Sequence, residues 1–342
     1  MISVQRTALI LLSGLWLLLS LVAQREPSLR FRIAFYNVEN LFDCHHDSLK
    51  DDIQYLPEGK RQWTFSRYWQ KQRHIAEVIA SIGDEAAPAL VGFCEVENDS
   101  TLFDLTRRSP LRTAGYRYVT THGDDPRGID VALLYRPSLF RLFDAAEYPV
   151  PVQTLNNDAH ARPVLHVSGM MLSGDTLDVL VCHWPSRLGG ARASEPLRKL
   201  AASVVQHLCD SLYNVRTTPL ILVMGDFNES PNAPAILQLE EKARLVNLAR
   251  QAKPTFEKKA SSSRTPFGTY RYKGRWEQLD QMLASPLLAE RLKPFCVYNA
   301  PFLLENEPLY GGVRPFRTYN GYRYKGGYSD HLPIYVDLEL TY

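Results

Sequence analysis

Six times along this chain a short apolar, strand-like run ends in, or is interrupted by, an acidic, amide or imidazole side chain. Asn37 and Glu39 follow residues 31–36. Glu95 follows residues 89–94, with Glu97 and Asn98 close behind. His183 follows residues 177–182, and Asp226 and Asn228 follow residues 220–225. Asp280 interrupts residues 279–283. Ser329, Asp330 and His331 precede residues 334–338. Strand ends lying side by side would gather these groups into one cleft at a sheet edge. One such run means little; six constrain the fold.

Between the runs, residues 68–82 carry Ile75, Val78, Ile79 and Ile82 at helical spacing. A second helix is expected to open at Pro196, with Leu197, Leu200, Val204, Val205 and Leu208 on one face. Residues 164–171 and 177–182 flank Ser173-Gly174-Asp175, a hairpin signal. Residues 116–120 and 131–135 read as a neighbouring pair of strands. Hairpins mixed with single helices exclude a purely parallel, doubly wound sheet. They predict an α/β (α+β) sandwich of two packed sheets with helices outside. Residues 256–275 and 311–328, rich in Gly, Ser, Arg and Tyr, read as long surface loops.

Composition narrows the classes further. The 342 residues are 45% hydrophobic and 22% charged, which excludes disorder over most of the length. A formal net charge of +2 gives no bulk attraction to a polyanion, so nucleic-acid binding must rest on local patches. At the start, Arg6, an apolar run from Ala8 to Leu21 and the Val22-Ala23-Gln24 junction read as a signal peptide over residues 1–23. The expectation is export to the periplasm or medium, or membrane anchoring if the leader is not cleaved. Five cysteines match no zinc spacing, and their odd number cannot close a disulfide framework. Cys94 and Cys182, at the ends of apolar runs, read as small buried hydrophobes.

Each polar type has a task it suits. Glu39 and Glu95 offer hard oxygen donors, appropriate to Mg²⁺ or Mn²⁺. Asn37 and Asn228 combine a donor with an acceptor and hold phosphate or a metal's water without added charge. Histidine, with an unperturbed pKa of roughly 6.5, gives or takes protons near neutrality. Taken singly, Glu39 reads equally as a solvated charge, His183 as a core histidine and Asp226 as a turn cap. Asp280 is harder to dismiss, because a carboxylate in an apolar run needs a partner. His331 would supply one.

The ordered set resembles the endonuclease/exonuclease/phosphatase superfamily of metal-dependent phosphoesterases. The matching segments are Tyr36-Asn37-Val38-Glu39-Asn40-Leu41-Phe42, Phe93-Cys94-Glu95, Cys182-His183-Trp184-Pro185-Ser186, Gly225-Asp226-Phe227-Asn228, Leu279-Asp280-Gln281 and Tyr328-Ser329-Asp330-His331-Leu332-Pro333. The resemblance implies a four-layer αββα sandwich over residues 30–342 with the site at one rim. It implies metal ligation by Glu95 with Glu39, and Asn37 and Asp330 near the same ion. It gives Asp226 the attacking water, Asn228 and His331 the phosphate, and Asp280 the pairing with His331. His183 would protonate the leaving oxygen, as in pancreatic-type deoxyribonucleases. The aromatic-Cys-Asp-Arg run of inositol polyphosphate 5-phosphatases is absent, Glu277-Gln278-Leu279-Asp280 standing in its place. The long insert between Cys44 and Arg73 is similar to one in exported bacterial nucleases of the superfamily.

For substrate, an endonuclease on DNA or RNA leads. Residues 264–276 and 314–325 interleave basic and aromatic groups, with Arg271, Lys273, Arg317 and Arg323 placed to hold a nucleic-acid backbone. The same tyrosines could instead pack rim loops onto the sandwich. A phospholipid phosphodiesterase or a phosphomonoesterase is the alternative, with Trp63, Trp69 and Trp184 as candidate lipid-facing residues. No obligate protein partner is implied.

Overall fold

The computed structural model describes residues 28–83, 86–187, 189–256 and 268–341. The expected signal peptide, and residues 257–267 of the first expected loop, lie outside them. The strands in chain order are β1 (Ser28–Leu41), β2 (Leu90–Val96), β3 (Arg117–Thr120), β4 (Asp130–Tyr135), β5 (Phe140–Tyr148), β6 (Val164–Met171), β7 (Thr176–His183), β8 (Leu220–Asp226), β9 (Val246–Asn247) and β10 (Lys253–Pro254). They continue with β11 (Tyr270–Tyr272), β12 (Arg275–Glu277), β13 (Asp280–Ala284), β14 (Cys296–Val297), β15 (Leu304–Asn306), β16 (Val313–Pro315), β17 (Tyr319–Asn320), β18 (Arg323–Tyr324) and β19 (Ile334–Thr341). One sheet runs β10-β14-β19-β1-β2-β4-β3 and the other β5-β6-β7-β8-β13-β9. Both are mixed: β1 pairs in parallel with β2 and β7 with β8, while β19 runs antiparallel to β1 and β13 to β8.

Period-two alternation explains why the sheets stack and why helices cover them. On β8, Leu220, Leu222 and Met224 join the core between the sheets, whereas Ile221 and Val223 face the other way. On β7, Val179 and Val181 point inward, and Leu180 and Cys182 outward. The outward set packs with Ala201, Ala202, Val205 and Cys209 of helix α2 (Ala191–Val215). Helix α1 (Phe65–Gly83) buries Ile75, Val78, Ile79 and Ile82, packing against β1. The result is the two-sheet sandwich flanked by helices that the sequence predicts.

Two expectations need correction. Helix α2 begins at Ala191, five residues before Pro196, which lies inside it. Gly189 and Gly190, both at positive φ, turn the chain just ahead of that start. The two glycine- and tyrosine-rich segments are not simply loops. Their described parts contribute strands to three hairpins, β11–β12, β15–β16 and β17–β18, each closed by its own antiparallel bonds.

Gly92 on β2 lets Met224 of the other sheet approach its backbone closely beneath the site. A Cβ there would meet Met224 Cε at 2.6 Å and Phe35 Cδ2 at 3.0 Å. Gly92→Val should therefore overpack the interface between the sheets. Loss of about 1–3 kcal/mol of stability is expected, read as a lowered melting temperature. An unchanged melt would show that β2 and β8 do not approach each other here.

Candidate active site

The site is the continuation of that inner face by one step. Asn37, Cys94, His183 and Asp226 each stand two residues beyond Phe35, Gly92, Val181 and Met224, and so point the same way. Register completes the set. Asp226 lies opposite His183 across the β7–β8 pair and opposite Asp280 across β8–β13. Asn37 pairs in register with Cys94. Asn37 Nδ2 donates to Asp226 Oδ2 at 3.1 Å, joining the two sheets at the cleft floor.

Around Asp226 the two histidines differ in charge. His331 and His183 each place Nε2 3.8 Å from Asp226 Oδ2. At His331, burial opposes the charge, but Asp280 and Asp226 outweigh it and hold the imidazolium up to about 10. Its Nδ1 is 2.7 Å from Asp280 Oδ2, the partner that the buried carboxylate requires. His183 has no such partner. Burial, then the Arg162 and Arg127 guanidiniums, drive it well below the ordinary range and leave it neutral. Asp226 itself is raised to about 6 by burial, despite His331 and a 2.9 Å bond from the Asn228 amide to Oδ1.

The backbone is bent to aim these groups. Among the described residues seven non-glycine residues have positive φ, and four belong to the predicted motifs: Glu39 (50°), Asn40 (57°), Glu95 (64°) and Asn228 (51°). The β1–β2 register breaks between Asn37 and Leu41, and the β2–β4 register between Cys94 and Val96. Such bulges turn a side chain out of the pleat. Glu95 Oε2 accepts from Asn40 N at 2.9 Å, and its Oε1 lies 3.9 Å from His183 Nε2.

A cleft of about 590 Å³ opens above this floor, lined by Asn40, Glu95, His183, Asp226, Asn228, Asp330 and His331. Glu39 is placed differently. It is buried beside the cleft, its carboxylate accepting from the amides of Thr318 (2.6 Å) and Tyr319 (3.2 Å). Burial and Asp330 raise it to about 7. Asp330 Oδ2 accepts from Arg317 Nη2 at 3.1 Å. The site thus sets Glu95, Asp226, Asp280, Asp330 and Glu277 against His331, Arg317, Arg127 and Arg187. That excess of hard oxygen donors suits a divalent cation, with Glu95, Asp330 and Asn37 as the side chains that could hold it.

The four expected phosphate-tracking cations divide. Arg271, its side chain 5% exposed, is taken up by an ion pair with Glu307 and by the Gly311 carbonyl at 2.7 Å. Arg317 is taken up by Asp330. The other two are exposed, Lys273 on the β11–β12 turn and Arg323 at the start of β18. Two of the three candidate lipid-facing tryptophans, Trp63 and Trp184, are core residues.

The model of the endonuclease/exonuclease/phosphatase family matches residues 32–340. The chain belongs to that family. It is a phosphoesterase, and enzymes of the family use divalent metals. No curated protein matches it in sequence. Solved structures share the fold at low identity. A mannosyl-6-phosphatase of Bacteroides thetaiotaomicron is 17% identical, with 90% of this chain and 99% of that one covered at a TM-score of 0.58. A second family protein from that organism is 14% identical (92% and 99% covered, TM-score 0.57). The human Nocturnin catalytic domain, with bound sulfate, is 16% identical (92% and 97%, TM-score 0.55).

Sequence reading missed several residues that shape this family member's site. Tyr270 lines the cleft, its ring centroid 4.8 Å from that of His331. Arg127 and Arg187 line it too, Arg187 paired with Glu277. Lys71 is buried on α1, donating to Thr318 Oγ1 at 2.6 Å and the Tyr328 carbonyl at 2.5 Å. Burial lowers it to about 8 while the nearby Glu39 opposes the shift. The signal was present: Lys71 stands four residues before Ile75, on the apolar stripe, where a lysine is out of place. Tyr270 falls in the basic and aromatic stretch 264–276, where it reads as one stacking or packing tyrosine among several, and for Arg127 no local pattern exists.

The Asp280–His331 contact should behave as a unit. His331→Ala is expected to remove most activity, and adding Asp280→Ala to remove little more. Asp280→Ala alone should lower melting temperature as well as rate, because it leaves a buried donor unpaired. Additive losses in a double-mutant cycle would mean that the pair is not coupled in catalysis.

Proposed function

We propose that this phosphoesterase is an exported nuclease that hydrolyses a phosphodiester of DNA or RNA by direct attack of water, with Mg²⁺ or Mn²⁺ as cofactor. The observation that carries the hydrolytic reading is one buried carboxylate, Asp226, set between a charged and a neutral histidine. Asp226, raised towards neutrality, takes the proton of the attacking water. His331, a fixed cation backed by Asp280, faces the charge that builds on phosphorus-bound oxygen. Asn228, with one amide proton given to the Trp184 carbonyl at 3.1 Å, keeps its other to hold a phosphate oxygen. His183, being neutral, donates an N–H hydrogen bond to the leaving oxygen, which takes its proton from solvent water as the P–O bond breaks. A divalent ion held by Glu95, Asp330 and Asn37 would polarise the phosphoryl group and relieve the carboxylate crowding.

Nucleic acid as the substrate is supported by Tyr272. It is 52% exposed on the cleft wall, with Lys273 Nζ 5.3 Å from its ring centre, a stacking face beside a cation. Tyr322 and Arg323 offer a second exposed pair. Export is supported by the leader sequence. No helix among the described residues is long and apolar enough to cross a membrane.

The test is hydrolysis of plasmid DNA, RNA, a small synthetic diester, sphingomyelin and a phosphoinositide, each with Mg²⁺ and with EDTA. Nucleic-acid cleavage abolished by EDTA and restored by Mg²⁺ or Mn²⁺ is the expected outcome. Turnover of lipid alone would move the substrate, and full activity in EDTA would remove the metal.

Asp226→Asn should lower the rate roughly 10²–10⁴-fold, the usual scale of general-base catalysis. Its effect on stability should have the opposite sign. A carboxyl raised to about 6 by burial lies above its unfolded value of roughly 3.9, so above that window its ionised form destabilises the fold. In EDTA at neutral pH the variant should melt no lower than the parent. A large drop in melting temperature would make Asp226 a structural cap.

A further inference from the structure

One group on the cleft floor has no part in the hydrolysis described above. Cys94 is a free, fully buried cysteine on β2. Its sulfur, a ring nitrogen of His183 and a carboxylate oxygen of Asp226 all lie within 4.8 Å of one another. The three come from both sheets and converge in the space between them. His183 is only 4% exposed, and its Nδ1 has no hydrogen-bond partner. His183 and Asp226 line the cleft, so an ion entering from solvent reaches this set through the cleft floor.

We propose that Cys94, His183 and Asp226 form a second metal site, selective for a borderline-soft divalent ion such as Zn²⁺, whose occupation inhibits the enzyme. The donor set is the reason. One thiolate, one imidazole and one carboxylate match zinc, whereas the oxygen-rich set around Glu95 suits Mg²⁺. Tetrahedral ligation at roughly 2.0–2.3 Å needs donors about 3.3–3.7 Å apart. His183 Nε2 and Asp226 Oδ2 are already at 3.8 Å. Binding converts the Cys94 thiol to a metal-bound thiolate and releases its proton to solvent; no electron changes hands. An ion there ties up Asp226. The inhibition therefore rests on the reading of Asp226 as base, but the binding does not.

Co²⁺ separates the two. Titrated into the reduced full-length chain with Mg²⁺ in excess, it should produce a thiolate-to-cobalt charge-transfer absorption that saturates at stoichiometric metal. Cys94→Ser and Cys94→Ala should each lose that absorption while the other four cysteines remain. Two variants are used, each checked by thermal melting, so that either one that folds decides. In parallel, Zn²⁺ should inhibit Mg²⁺-supported hydrolysis, and the Cys94 variants should need about tenfold more or greater, since losing a ligand matters at least as much as losing an outer-shell partner. Absence of the cobalt band, or its survival in a folded Cys94 variant, would overturn the site. A Cys94-dependent band without zinc inhibition would confirm the site and count instead against Asp226 as the base.

Discussion

The pairing of β8 with its two neighbours holds the chemistry together. Asp226 ends that strand with His183 in register on one side and Asp280 on the other. Side chains alternate along a strand, so a slip of one residue would send the carboxylate to the helix-covered face. What prevents the slip lies behind the site: Met224 against the bare backbone of Gly92, and Leu222 and Leu220 in the same buried layer. The hydrophobic core is therefore the ruler that sets the spacing of the polar groups.

Burial then does electrostatic work that solvent would undo. It lifts Asp226 and Glu39 and depresses His183 and Lys71. His331 is held charged against burial, because Asp280 sits within hydrogen-bond reach of its ring. The backbone contributes as well. Left-handed conformations at Glu39, Asn40, Glu95 and Asn228 each cost of order 1–3 kcal/mol in unstrained terms. They persist because side chains tie them: Glu39 to the Thr318 and Tyr319 amides, Asn40 to Glu95, and Asn228 to Asp226 and Trp184.

Much of this was legible beforehand, for identifiable reasons. Period two along β7, β8 and β13 carries both strand identity and the direction of its last polar residue, so His183, Asp226 and Asp280 could be read as a group. Asp280 was the surest, since a carboxylate among Leu279, Met282 and Leu283 demands a partner. The orientation of Glu39 was not legible, because a bulge redirects it to a turn nearly three hundred residues away. Nor was the fate of Arg271 and Arg317, whose basic character looked available but whose partners, Glu307 and Asp330, are set by hairpin folding. The start of α2 was hidden too: Pro196 is favoured at a helix's first position, yet a glycine pair further upstream sets the boundary.

The hairpins on the β11 side of the cleft, of which β11–β12 lines it, are built on a different plan from its floor. β11–β12, β15–β16 and β17–β18 each satisfy their own backbone bonds, and the Arg271–Glu307 pair links the β11–β12 hairpin to the segment just after β15. The floor, by contrast, is made of strand ends whose neighbours extend through the whole sandwich. A hairpin that closes on itself can lengthen, shorten or be exchanged with little strain passed to the sheets. The anchors that tie these hairpins to the floor are few: Tyr270 bridges His331, and the Thr318 and Tyr319 amides hold Glu39. In such a scaffold selectivity can drift through the hairpin tips over evolutionary time while those anchors and the floor, fixed by the register of β8, stay as they are.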